Sequence, residues 1–371
     1  MKEPTPAATQ RNYGADLLRI LCMLMICAHH VLSYGGFWDI YDGSSSTFWG
    51  LDLISALSMC CVNCYALISG YFGSANKRHS WNRILELWLV VLFYSVTLSI
   101  VSFAAGIFKA STLTILEMFV PLTSGRYWFF SCYFIMFLVG PYLSRLVDSA
   151  PKKQVQLLLF GLLILFSLLR FPDIFFTNDP FVLRSGRSPL WLCFVYFLGA
   201  YLKKYPLPEK FFKIPPILLY LAFCGIALLE KWIYYKICGI LGWENYNIIN
   251  NMMIWVILSS VALFYACLSM KVNKFWGKII KFVSSLAFGV YLIHMHPLGV
   301  KLIRMCKLAN FASSQIQSLL IPLFVVLASV AIFLICSAID ACRFWLFKLI
   351  RVPKFCKFLD DKLARITSDS E

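Results

Sequence analysis

Charge is scarce in this chain. Only 14% of its 371 residues are Asp, Glu, Lys or Arg, and just 18 are acidic. Soluble domains run near one quarter charged, so a soluble protein of ordinary make-up is excluded. There is no concentrated basic segment that could grip nucleic acid, so the net charge of +16 is read as membrane topology. Cys61-Val-Asn-Cys64 has no second Cys-x-x-Cys to complete a zinc site. The 14 cysteines, mostly within apolar stretches, are therefore expected to pack as small hydrophobes. No pair of intramembrane carboxylates has zinc-type helical spacing, and no metal is expected. No clean small-residue cleavage site follows the first apolar run, which is read as a retained span. Low-complexity tracts and internal repeats are missing too.

What remains is apolar. Hydrophobic residues make up 60% of the chain and the mean hydropathy is +0.75. The expectation is an all-α polytopic bundle of about ten transmembrane spans. They are drawn at 14–36, 48–72, 84–106, 127–146, 155–173, 188–203, 214–236, 248–270, 283–304 and 315–340. With a cytoplasmic N-terminus, every inside segment carries Lys or Arg: Lys2 and Arg11, then Lys77, Arg78 and Arg83, then Arg145, Lys152 and Lys153. Lys203, Lys204, Lys210 and Lys213 follow, then Lys271, Lys274, Lys278 and Lys281, then the tail. The outside segments hold only Lys109, Arg126, Arg184, Arg187, Lys236 and Lys307. Both termini are thus expected in the cytoplasm. Residues 1–345 are assigned to the integral domain and 346–371 to a basic tail. From Arg343 to Arg365 basic and apolar residues alternate, as in an amphipathic helix lying on anionic lipid.

The first span keeps ionisable groups that a bilayer disfavours unless they are used. At about 100° per residue, Asp16, Arg19, Met23, Cys27 and His30 share one stripe. At ~1.5 Å per residue, His30 lies about 16 Å beyond Arg19, so the two can grip opposite ends of one extended ligand. Asp16 also has the bland role of an i,i+3 partner neutralising Arg19. Of the five histidines, His29, His30, His294 and His296 fall in predicted spans. His294, in the ninth, is about as deep as His30, and the two share a site if their spans are neighbours. His296, before Pro297, is expected to be a packing residue. In the outside loops, residues 37–47 and 173–187 (Asp173, Asn178, Asp179, Arg184, Arg187) offer aromatic, carboxylate and amide groups suited to sugars.

Several motifs match a known family. They are Asp16-x-x-Arg19, then ten residues, then His30; Tyr65-Ala-Leu-Ile-Ser69-Gly70-Tyr71-Phe72; and a basic cluster with Arg83. Next come Tyr127-Trp128-Phe129 with Tyr133 and Pro141, Phe197-Leu198-Gly199, and Leu286-Ala-Phe-Gly289-Val-Tyr291-Leu-Ile-His294. The chain resembles the integral-membrane acyltransferase-3 family, which O-acylates cell-surface glycans. No extracytoplasmic hydrolase-like domain of the kind some members carry is expected, so the membrane domain and its short outside loops are expected to handle the acceptor.

The resemblance implies transfer of an acyl group, usually acetyl, from cytoplasmic acyl-coenzyme A. The acceptor is a sugar hydroxyl of a surface polysaccharide or its lipid-linked precursor. It implies a bacterial plasma membrane, contact with membrane lipid and other glycan-assembly proteins, and no permanently bound cofactor. A neutral imidazole suits His30 as general base, with covalent acyl acceptance the alternative. Tyr291, His294 and Ser69 are candidate donors to the tetrahedral intermediate. Arg19 and Arg83 suit the coenzyme phosphates, Gly70 a close approach of the ligand, and Trp128 the acyl tunnel. A flippase of a lipid-linked saccharide is the rival. Against it, no repeat or Gly/Pro-broken helix pair of the transporter kind is visible.

Overall fold

The computed structural model describes residues 11–74, 81–169, 179–208, 211, 213–243 and 248–368, with side chains to residue 362. The expected groups at Lys2, Lys77, Arg78, Asp173, Asn178, Lys210 and Arg365 lie outside what is described. Among the described residues every regular element is helical and there is no strand.

The first helix, α1 (Tyr13–Tyr34), starts where the Asn12 side chain accepts from the Ala15 amide at 2.9 Å, with Asp16 in the first turn. A short α2 (Phe37–Ile40) leads to α3 (Ser46–Ser58) and α4 (Cys61–Gly73), one broken rod across Met59 and Cys60. Then come α5 (Trp81–Ala104), α6 (Thr112–Phe119), α7 (Trp128–Ser149) and α8 (Lys152–Leu163), the last running into a π-helical turn at Ile164–Leu168. The remainder is α9 (Pro189–Lys204), α10 (Pro216–Leu241), α11 (Ile254–Leu268), α12 (Lys274–Met295), α13 (Pro297–Met305), α14 (Leu308–Gln315), α15 (Ile321–Leu349) and α16 (Val352–Ser368).

Seven helical segments among the described residues are long and apolar enough to cross a membrane: α1, α3–α4, α5, α7, α10, α12 and the segment Ser318–Leu349 that contains α15. The chain is a multi-pass membrane protein. The expected count of about ten differs from this. Where the fifth, sixth and eighth spans were drawn stand the shorter helices α8, α9 and α11. The ninth span differs as well. Helix α12 begins at Lys274 and stops at Met295, because Pro297 disfavours helical geometry at His296 (φ −57°, ψ 145°). His296 instead caps α13, its Nδ1 accepting from the Leu298 amide at 3.1 Å. Residue 345, where the tail was divided off, lies inside α15.

Helix α1 is the hub, packed by α3, α4, α11, α12 and α15. Helices α4 and α9 meet backbone to backbone: a Cβ on Gly70 would strike the Tyr196 carbonyl, and one on Gly199 the Leu67 carbonyl. Two ion pairs among the described residues have both side chains buried. Lys231 Nζ is 2.6 Å from Asp52 Oδ1, and Arg343 Nη2 is 2.6 Å from Asp340 Oδ2, with the Tyr94 hydroxyl donating to Asp340 Oδ1 at 2.8 Å. The tail helix α16 packs against α5. Asp360 Oδ1 accepts from the Trp81 amide at 3.1 Å, capping α5, and Cys356 is buried. All 14 cysteines are free, and only Cys306 and Cys342 are exposed.

Candidate active site

A cavity of about 640 Å³ opens between α1, α4, α5, α7, α9 and α12. Arg19 and Arg83 line it near the starts of α1 and α5, and Trp128, Phe129 and Tyr291 line it further along. Alternating helix direction puts Arg187 and Asn251, just before α9 and α11, at the opposite end.

His30 lines this cavity, and its ring stacks on Tyr34 at 5.6 Å between centroids. Neighbouring α12 brings His294 alongside, with His30 Nδ1 2.9 Å from His294 Nε2. The other nitrogen of His294, Nδ1, lies 2.6 Å from the Val290 carbonyl. A carbonyl oxygen only accepts, so His294 Nδ1 carries the proton and donates. In the neutral ring Nε2 is then the acceptor, and His30 Nδ1–H must donate to it. His30 is left with an Nε2 lone pair, the form a general base needs. The equal depth of the two histidines was legible in the sequence; their contact was not.

Residues 12–341 match the family model described as an acyltransferase domain. The chain belongs to the acyltransferase-3 family. No curated protein and no solved structure matches it significantly.

In this acyltransferase the other sequence candidates separate into two groups. Arg19, Arg83, Ser69, Trp128 and Tyr291 line the cavity with His30. Asp16, His294 and Gly70 are not among its lining residues. Asp16 is buried beneath Arg19, its Oδ1 2.7 Å from Arg19 Nη1 and its Oδ2 2.6 Å from Arg11 Nε, so it holds two cations. Gly70 lies against α9, so its missing side chain serves helix packing. His294 is buried behind His30.

Of the three proposed donors to a tetrahedral intermediate, Ser69 Oγ already donates to the Tyr65 carbonyl at 2.8 Å, and His294 holds His30. Tyr291 is different. Its hydroxyl accepts from the Phe129 amide at 3.3 Å, which leaves its own proton for a ligand in the cavity. The backbone around Arg19 is fixed by the Tyr65 hydroxyl, which donates to the Arg19 carbonyl at 2.7 Å. Sequence reasoning missed Asn251 as a lining residue and treated His29 only as the neighbour of His30; both line the cavity.

Proposed function

We propose that this protein is an O-acyltransferase that moves an acetyl or other acyl group from cytoplasmic acyl-coenzyme A to a sugar hydroxyl. The acceptor is a surface polysaccharide or its lipid-linked precursor at the bacterial plasma membrane. The observation that carries this is the His30–His294 pair, which leaves one His30 nitrogen as a base beside a cavity with Arg19 and Arg83 towards one end.

The coenzyme phosphates suit Arg83 and Arg19, which Asp16 steadies. The thioester then lies along the cavity towards His30. His30 Nε2 takes the proton of the sugar hydroxyl as its oxygen attacks the thioester carbonyl. The Tyr291 hydroxyl donates to the oxyanion that forms. The intermediate collapses with cleavage of the C–S bond, and the imidazolium returns its proton to the coenzyme thiolate. His294 accepts from His30 Nδ1–H throughout, and so favours charge on the His30 ring.

The test is transfer from labelled acetyl-coenzyme A to endogenous glycan in membranes carrying the wild type or His30→Ala. Base-labile label that disappears in the variant is expected. Undiminished label with His30→Ala sinks the assignment of the base. No label from either, with folded protein, favours another acyl donor or the flippase.

A further inference from the structure

The cavity carries a cation towards each end, and the function proposed above employs those on one side only. Arg187 is on the other, exposed and lining the same space. No Asp or Glu is among the described residues that line the cavity. A guanidinium there is best matched by an oxyanion that arrives with the ligand.

The chain leading to Arg187 is held in an unfavourable conformation. Val182, Arg184 and Ser185 have φ of 51°, 50° and 56°, and Gly186 has 83°. Left-handed geometry at three non-glycine residues so close together persists only where surrounding contacts enforce it. Here the Asp179 carboxylate accepts from the amides of Leu183 at 3.0 Å and Arg184 at 2.7 Å. Gly186 is buried against Trp191 and Asn251. Asn251 is itself fixed, its carbonyl accepting from Asn63 Nδ2 at 2.8 Å. Two buried polar atoms of cavity-lining residues, His29 Nδ1 and Asn251 Oδ1, have no hydrogen-bond partner among the described residues. Asn251 Oδ1 can only accept, and a sugar hydroxyl is a fitting donor.

We propose that this end of the cavity is the acceptor site and that the acceptor is an anionic sugar, its carboxylate or phosphate oxygen bound by Arg187 and a hydroxyl by Asn251. This rests on the acyl-transfer function and names its acceptor class.

The test is a ligand-observed NMR titration of the full-length protein in nanodiscs. The probes are methyl β-D-glucuronide, methyl β-D-glucoside 6-phosphate and neutral methyl β-D-glucoside. An anionic probe is expected to bind roughly tenfold or more tighter than the neutral one, the range of one charge-assisted hydrogen bond. The better of the two anionic probes distinguishes uronate from phosphate. Arg187→Gln removes the preference and Arg187→Lys retains part of it. Equal affinities, no binding of either anionic probe, or a preference that survives Arg187→Gln overturns the proposal. Acetyl transfer by the wild type is assayed alongside. Binding of the anionic probes without any acetyl transfer overturns acetyl-coenzyme A as the donor and leaves the anion site standing.

Discussion

Replacing His294 tests the histidine pair more sharply than replacing His30, because His294 acts only through its partner. With His294→Leu, His30 loses the acceptor 2.9 Å from its Nδ1. The ring is then free to rotate and to carry its proton on Nε2, where the lone pair is needed. The lost hydrogen bond is itself worth about 0.5–1.5 kcal/mol, or roughly three- to tenfold in orientation. The upper bound is the whole contribution of a general base, about 10²- to 10⁴-fold. A fall in kcat of roughly 10²-fold is therefore expected for His294→Leu, with the KM for acetyl-coenzyme A little changed. His294→Gln, whose amide oxygen can still accept from His30 Nδ1–H, should stay within about tenfold of the wild type. The assay is initial-rate acetyl transfer at varied acetyl-coenzyme A, on protein shown to be folded by thermal melting. A folded His294→Leu variant with a wild-type kcat would refute the tautomer argument. So would Gln and Leu variants that are equally slow.

Arg83→Ala should raise the KM for acetyl-coenzyme A roughly tenfold with kcat nearly constant, because it removes a binding contact distant from the base; a kcat defect at unchanged KM contradicts this. Asp52→Asn strands the buried Lys231 ammonium and should cost about 3 kcal/mol or more, read as a lowered Tm, whereas Asp52→Leu combined with Lys231→Met should recover much of it. Gly70→Ala drives a methyl into the Tyr196 carbonyl and should cost about 1–3 kcal/mol through forced separation of α4 and α9. A Gly70→Ala protein as stable as the wild type would show that these helices part easily.

The all-helical membrane architecture was legible because hydropathy alone decides it. The stripe on α1 was legible too, as helical spacing fixes which residues share a face. Its members still have different surroundings: Arg19, Met23 and His30 line the cavity, while Asp16 and Cys27 are buried outside it. Spacing gives the face of a helix but not which neighbour covers each turn. The pairing of His30 with His294 depends on α1 lying beside α12, a contact between residues 264 apart in the chain. The end of α12 is readable from Pro297, although the expected ninth span runs on to residue 304. Helix α9 lies where the sixth span was expected, and it is simply shorter than the spanning helices and largely buried. Arg187 was named as a sugar-facing loop residue, but the strained turn that carries it has no sequence signature beyond Gly186.

The distribution of thiols supplies a ruler for orientation. Cys306 follows α13 and Cys342 lies in the last third of α15, near opposite ends of the bundle, and both are exposed while the other cysteines are buried or partly so. With both termini in the cytoplasm, as the Lys/Arg distribution predicts, a membrane-impermeant maleimide applied to intact cells should modify the unaltered protein at Cys306 and spare Cys342, and the reverse pattern would overturn that orientation. Peptide mapping of the native sequence would then read which face of the bundle meets the outside world, without inserting a single reporter residue.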